Sequence, residues 1–293
     1  MTALLKNTIL TYLLLGFAIC AAYFQIQFLW IPFFALALIL GLAQKQIQPI
    51  GIVSIVVYIL SAIYLQRSWN DLTFNPLPPM IFFVISTKFY FHKIPGITAF
   101  GYDPHFKRDE KSSEFELLFW FDKPLIGLLF FAFIETTAAI DLPLSEQIKS
   151  FLIAYIAVLA VLLPIGLLIK YISFNPKWEK KFSIWAVRNL LFTCVSEEIL
   201  FRAFFIGVLL KIVPIGEYQV VAICLTSALF FALTHFKGGI SYIALSFLAG
   251  IGYSWVYIQT GRIEWPILLH FLINTTHIGL FTYPHNCRKW RIS

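Results

Sequence analysis

Residues 184–210, "IWAVRNLLFTCVSEEILFRAFFIGVLL", form an apolar run whose middle holds two adjacent carboxylates and, four residues after the second, a guanidinium. The run is longer than the roughly 20 residues with which a helix crosses a bilayer. Each charge at the centre of such a helix costs roughly 2.5–3.5 kcal/mol. Glu197, Glu198 and Arg202 therefore need either partners or a polar cavity, and we expect them to mark a functional site.

The composition predicts that most of the chain lies in a membrane. Hydrophobic residues make up 59% of the 293 positions and charged residues 13%, against about a quarter in soluble domains. Apolar runs of spanning length, about 17–25 residues, recur along the chain. We predict an all-α fold, a polytopic transmembrane bundle of about ten helices with a range of 8–10. The predicted helices cover 8–24, 27–43, 51–65, 76–92, 124–140, 150–172, 184–212, 218–236, 239–259 and 263–282.

The distribution of Lys and Arg predicts the orientation. With a cytoplasmic N-terminus and alternating loops, 17 of the 22 Lys and Arg fall inside and 4 outside, while Arg202 lies within a helix. The positive-inside rule then favours an N-in, C-in protein. We interpret the net charge of +7 as this topology signal plus attraction to anionic lipid headgroups, so no nucleic-acid partner is predicted. Because no organellar targeting signal is evident, we expect a prokaryotic inner (plasma) membrane, with the endoplasmic reticulum as the alternative.

The placement of polar groups divides the chain into two parts. Residues 1–180 predict N-terminal transmembrane helices whose polar groups lie at helix ends, with Glu135 as the exception. Residues 183–283 differ because ionisable groups recur inside three of their four helices. The sizeable extramembrane segment 93–123 belongs to the first part. Its stretch "FELLFWF" predicts a cytoplasmic or interfacial loop, and the segment shows no catalytic pattern.

The charged stretch predicts one ion pair and one carboxylate without a local partner. Glu198 and Arg202 are four residues apart, so they share a helix face and are predicted to pair. Glu197 lies about 100° around the helix, away from that pair. An unpaired carboxylate in a membrane either takes up a proton or faces a polar cavity. Desolvation raises the pKa of such a carboxyl toward neutrality, which suits a general base.

Histidines and an asparagine recur in the helices that follow. His235 lies in "FFALTHFKGG", and His270 and Asn274 project from one face of the last helix, with His277 nearby. A hydrogen-bonded packing role explains each residue alone, whereas their coincidence predicts a site. Such a set supports peptide hydrolysis, in which a carboxylate activates water and one histidine assists. A second histidine and an asparagine amide would then stabilise the oxyanion.

The sequence leaves the cofactor open. No HExxH motif is present, which excludes a zincin. A glutamate with two histidines still suits Zn²⁺ with water as the fourth ligand. A zinc-bound water and a metal-free, glutamate-activated water are therefore both retained. No serine or cysteine nucleophile is placed near a histidine by a known spacing, and the four cysteines are expected to be small apolar filler.

Three motifs together carry a family resemblance. "EEILFR" fits EExxxR, "FALTH" fits FxxxH and "HFLIN" fits HxxxN, each inside a predicted helix. In this order, over 183–283, they resemble the CPBP family of CAAX proteases and bacteriocin-processing enzymes. This family is also called the Abi family, and it includes the CAAX prenyl proteases.

The resemblance implies a role for each motif residue. The first glutamate activates water, and the second is held by the arginine. The first histidine assists at the water, while the second histidine and the asparagine form the oxyanion site. Carried over in that order, the residues are Glu197, Glu198, Arg202, His235, His270 and Asn274.

The resemblance also implies a substrate class, namely a membrane-associated peptide or protein. Prenylated CAAX-type proteins and leader peptides are the alternatives within that class. Two other functions are retained: a non-catalytic immunity or scaffold protein of the same fold, and a transporter or proton relay that uses the same buried groups. The sequence lacks matching Gly- or Pro-broken helices in two halves, which disfavours the transporter.

The predicted ion pair generates a stability prediction. We expect Arg202→Ala to destabilise the protein by about 3–5 kcal/mol, because it leaves Glu198 as an uncompensated buried charge. The measurement is the thermal unfolding of the purified protein in detergent, together with its activity. Normal folding and normal activity in this variant would contradict the pairing role of Arg202.

Overall fold

The computed structural model describes residues 3–72, 75–106, 115–134, 140, 142–177, 181–214 and 216–282. Within these ranges the chain forms ten helices, which confirms the predicted number and the all-α class. The helices are α1 (Ala3–Tyr23), α2 (Gln27–Ala43), α3 (Pro49–Ser68), α4 (Leu77–Tyr90), α5 (Pro124–Phe133), α6 (Leu144–Leu168), α7 (182–212), α8 (Glu217–Leu233), α9 (Gly239–Thr260) and α10 (Glu264–Leu280).

Several helices meet the requirements of a membrane. Three stretches are long and apolar enough to cross one by themselves: α3, α6 and the stretch Phe236–Thr260, which contains α9. The described part also contains five shorter apolar helical stretches: Thr8–Tyr23, Gln27–Ala43, Leu77–Tyr90, Pro124–Phe133 and Tyr218–Leu233. Large apolar side chains point outward, and those of Phe28 and Leu168 are 78% and 82% exposed. Apolar surface of this kind needs lipid as its solvent, so the fold is that of a membrane protein.

Helix α7 carries the charged stretch and is irregular in its winding. Short α-helical segments alternate with wider π-helical turns at Asn189–Cys194 and Ile199–Ile206. The four residues Val195–Glu198 between the two turns are α-helical. Such π-helical turns are rare and concentrate at functional sites. Every residue of 194–204 is buried, as expected for a helix surrounded by protein.

Helix α7 is buried because six helices pack around it in the described part. It contacts α1, α4, α5, α8, α9 and α10. Helix α5 begins with Pro124, which suits the first helical position because proline has no N–H to satisfy there. Nearly all of its side chains are buried, so α5 lies inside the bundle. The N-terminal part of the chain therefore forms much of the wall around the charged stretch.

Several predicted helix boundaries differ from those of the structure, most clearly in α5 and α6. Helix α5 ends at Phe133, and not at 140, because Ile134 adopts an extended backbone. Helix α6 begins at Leu144, and not at 150, because the polar stretch "LSEQIK" is helical as well. It ends at Leu168, since the nearby Lys170 takes a left-handed conformation with φ 57°. Glu135, the predicted exception among the N-terminal polar groups, lies outside the described residues.

Short strands accompany the helices in the described part of the chain. Strands β1 (Phe100–Phe106) and β2 (Phe115–Phe119) pair antiparallel, with Phe100 opposite Phe119. Strands β3 (Ser173–Phe174) and β4 (Phe281–Thr282) form a second small pair. The β1–β2 pair lies in the segment 93–123, which the sequence predicted as a cytoplasmic or interfacial loop. Strand β2 leads directly into the start of α5.

The packing of α5 on α7 requires a glycine. A Cβ at Gly127 would lie 2.7 Å from Val195 Cγ1, and a β-branched side chain in a helix has little freedom to move away. We expect Gly127→Ala to lower stability by about 1–3 kcal/mol, measured as thermal unfolding in detergent. Gly279→Ala is the matched control, because a Cβ there meets nothing within 4 Å. Equal unfolding temperatures for the two variants would contradict this close packing.

Candidate active site

Glu197 is buried in α7 and has three polar neighbours. Its Oε1 accepts hydrogen bonds from Lys123 Nζ at 2.7 Å and from Tyr90 Oη at 3.2 Å. Its Oε2 lies 3.9 Å from His270 Nε2, which is too long for a direct hydrogen bond. The ion-pair partner of Glu197 is not on its own helix but is Lys123, the residue immediately before α5, which the local spacing does not indicate.

Glu198 forms the predicted ion pair and also fixes a histidine. Arg202 Nη1 lies 3.1 Å from Glu198 Oε2, and Arg202 Nη2 donates to the Gly250 carbonyl at 3.1 Å. His270 Nδ1 lies 2.7 Å from Glu198 Oε1. An ionised carboxylate only accepts hydrogen bonds, so Nδ1 is the donor. This contact turns the other ring nitrogen of His270 toward Glu197.

Two aromatic rings enclose the arginine and the histidines. The Arg202 guanidinium lies 4.6 Å from the centre of the Phe231 ring and 5.2 Å from that of Tyr253. The His270 ring stacks on Tyr253 at 4.8 Å. Phe231 also meets the rings of His235 and His270 edge-on, at 4.8 and 5.7 Å. The phenylalanine of the FxxxH motif thus contacts a member of each of the three motifs.

His235 joins the site from the end of α8. Its Nδ1 lies 3.0 Å from the Phe231 carbonyl oxygen, so this nitrogen donates and Nε2 is left for other contacts. The neighbouring Thr234 Oγ1 lies 3.0 Å from Tyr90 Oη, which also donates to Glu197. His235 is half-buried, whereas Glu197 is fully enclosed. Tyr90 therefore links the half-buried end of α8 to the buried carboxylate.

Asn274 lies one turn beyond His270 on α10, but its contacts are with the first π-helical turn of α7. Its Nδ2 donates to Asn189 Oδ1 at 3.2 Å and lies 3.8 Å from Cys194 Sγ. Cys194 Sγ donates to the same Asn189 oxygen at 3.3 Å. Asn189 thus orients the Asn274 amide. Cys194 is buried as predicted, although it has polar contacts as well.

The residues before α5 fix the backbone of Lys123. Ser196 Oγ donates to the Lys123 carbonyl oxygen at 2.9 Å, and Asp122 Oδ1 accepts from the Lys123 backbone N–H at 2.8 Å. The same oxygen lies 2.6 Å from His92 Nδ1, and the His92 ring stacks on Trp120 at 4.1 Å. Burial lowers the pKa of His92 below its usual range, while Asp122 acts in the opposite direction. The neutral ring then donates to Asp122.

Sequence reasoning missed three residues of this site. Lys123 ends the segment 93–123, which was predicted to contain no catalytic pattern, and Tyr90 ends α4. Asn189 lies at the start of the apolar run of α7. None of the three belongs to a motif, and Lys123 resembled the other positive residues of a cytoplasmic loop. The sequence feature that could have identified Lys123 is its position immediately before Pro124 and a fully apolar helix.

The donor set does not fit a metal centre. Among the described residues, no three His, Cys, Asp or Glu side chains are grouped so that they would hold a metal ion. The Lys123 ammonium lies 2.7 Å from Glu197 Oε1, where it opposes a second cation by charge repulsion. Glu198 is engaged by Arg202 and by His270. We therefore derive no chemical step through zinc.

Comparison with known proteins agrees with this geometry. No curated protein and no solved structure matches the chain significantly. Residues 179–276 match the family described as type II CAAX prenyl endopeptidase Rce1-like, and this segment contains all three motifs. The match confirms the predicted resemblance to CAAX-type proteases. At the level of the family, this third of the chain is similar to the membrane proteases that cleave CAAX-type substrates.

Proposed function

We propose that this protein is an intramembrane endopeptidase that hydrolyses peptide bonds of membrane-associated substrates. The observation that carries the proposal is the buried carboxylate of Glu197. One of its oxygens is engaged by Lys123, while the other faces His270 across 3.9 Å. A general base needs such an oxygen, placed beside a second polar group in a site that excludes bulk water.

In the proposed reaction, Glu197 Oε2 takes a proton from water as the water oxygen bonds to the peptide carbonyl carbon. His235, placed beside Thr234 and Tyr90, assists at this water. The proton on Glu197 then passes to the amide nitrogen while the carbon–nitrogen bond breaks. The products are a new carboxyl terminus and a new amino terminus, and Glu197 returns to its carboxylate form.

His270 and Asn274 are the proposed donors to the oxyanion. Glu198 orients His270 through Nδ1, and Arg202 in turn neutralises Glu198. His270 Nε2 donates only when both ring nitrogens carry protons, and carboxylates at 2.7 and 3.9 Å are suitable partners of that cation. The Asn274 amide is oriented by Asn189. One Asn274 N–H stays on Asn189, and the other would leave Cys194 Sγ, a weak acceptor, to donate to the oxyanion.

In this proposal, two parts of the chain have different roles. Residues 183–283 form the catalytic core, and residues 1–180 surround it and supply Lys123 and Tyr90 to the site. We propose a multi-pass protein with both termini inside, in a prokaryotic inner membrane, from the distribution of Lys and Arg. Prenylated CAAX-type proteins and leader peptides are the candidate substrates.

The first test removes the base. We expect Glu197→Gln and His235→Ala to lower the rate of cleavage by about 10²–10⁴-fold, the usual contribution of a general acid or base. The purified protein is assayed in detergent on membrane-tethered reporters, one prenylated at its C-terminus and one carrying a leader peptide, with products identified by mass. Glu146→Gln on α6 is the matched control, because this glutamate lies in a largely exposed ion pair away from the site.

Each alternative function has its own outcome. Equal cleavage by the wild type and by Glu197→Gln would contradict the proposed role of Glu197. A cellular phenotype that persists in Glu197→Gln would favour an immunity or scaffold protein. Proton flux into liposomes that depends on Glu197, without any cleavage, would favour a proton relay.

The second test concerns the metal. We expect cleavage to persist in the presence of a strong chelator, because Lys123 occupies the cation position beside Glu197. The measurement compares initial rates with and without the chelator, followed by addition of Zn²⁺. Activity that is lost in the chelator and restored by Zn²⁺ would show that the side chains rearrange to bind a metal.

A further inference from the structure

We propose that Lys123 is a positioning residue that keeps Glu197 ionised and fixes the orientation of its carboxylate. The inference rests on the proposed function, in which Glu197 is the base. Lys123 Nζ lies 2.7 Å from Glu197 Oε1, and both side chains are 5% exposed. The ammonium therefore contacts one carboxylate oxygen and leaves Oε2 on the side of His270.

The burial of Lys123 favours this role over a general structural one. Lysine is almost never fully buried unless it is paired, because removing its ammonium from water is costly. The described contacts of its Nζ are the Glu197 oxygen and the Tyr90 ring, whose centre lies 4.3 Å away. Tyr90 in turn donates to the same Glu197 oxygen. The ammonium is therefore directed at the carboxylate proposed as the base.

The backbone of Lys123 is fixed from two sides. Ser196, the residue before Glu197, donates to the Lys123 carbonyl oxygen, while Asp122 accepts from the Lys123 backbone N–H. His92 donates to the same Asp122 oxygen. The backbone of Lys123 is therefore hydrogen-bonded to the turn of α7 that carries Glu197. A positioning residue requires such an attachment, because it acts only if its ammonium stays at a fixed distance from the carboxylate.

Removing the cation has a specific kinetic consequence. A nearby positive charge favours the ionised form of a carboxylate, so without Lys123 the base is protonated more readily. Activity requires the ionised base, so the acidic limb of the pH–rate profile moves to higher pH. We expect a displacement of about 1–3 pH units in Lys123→Met. On that limb kcat falls about tenfold for each pH unit of displacement, because the ionised fraction of the base falls by that factor. We expect KM to change little, because Lys123 does not contact the substrate in this proposal.

The experiment measures kcat and KM of the full-length protein against pH, with the same membrane-tethered reporters. The variants are Lys123→Met, Lys123→Gln, which keeps a hydrogen-bond donor without the charge, and Lys123→Arg, which keeps the charge. Lys149→Met is the matched control, because Lys149 forms an exposed ion pair with Glu146. Thermal unfolding of each variant identifies the ones that fold.

The expected result is a displaced acidic limb in the Met and Gln variants and a limb close to that of the wild type in Lys123→Arg. The Gln variant carries the test if the Met variant does not fold. An unchanged limb in a folded Met or Gln variant would overturn the inference. A fall in activity without a displacement of the acidic limb would also overturn the inference, because that result indicates a structural role. Failure of the proposed function is distinguishable, since Glu197→Gln would then cleave as the wild type does.

Discussion

Two buried ion pairs on α7 constrain the rest of the structure. Glu197 pairs with Lys123 and Glu198 pairs with Arg202, all four side chains being almost fully buried. An uncompensated charge in this position would cost several kcal/mol. The surrounding elements therefore supply polar partners at defined points, including the Gly250 carbonyl of α9. The helix that carries the charges is compatible with a membrane because Arg202 on the same helix and polar groups from other parts of the fold compensate them.

The path of the chain follows from this constraint. The last residue before α5 provides the ammonium, so this short helix begins next to the charged turn of α7 and continues inside the bundle. Gly127 permits the close approach of the two helices. The π-helical turns on either side of Val195–Glu198 widen α7 where its carboxylates meet their partners. Helices α8 and α10 then complete the enclosure with Phe231 and His270.

The two carboxylates have different environments, and this difference supports different roles. Glu198 has no exposed surface; its Oε1 accepts hydrogen bonds from Arg202 and His270, and its Oε2 lies 3.1 Å from Arg202 Nη1. Glu197 is engaged on one oxygen and has the other directed toward a histidine nitrogen. An orienting residue needs the first arrangement, and a base needs the second. The match of 179–276 to a protease family and the geometry of the site are independent observations that agree.

The sequence by itself determined the membrane class, the ten helices and the pair between Glu198 and Arg202. Hydropathy and i, i+4 spacing are local properties of a chain, and both are readable without coordinates. The three motifs also contained the residues that meet around Phe231. Only the tertiary structure decided that Glu197 has a partner. Lys123 lies 74 residues away along the chain, immediately before a different helix, so no local spacing predicts the pair. It also decided that Asn274 contacts Asn189 rather than the carboxylates, since the relative depth of two packed helices depends on side-chain packing across the whole bundle.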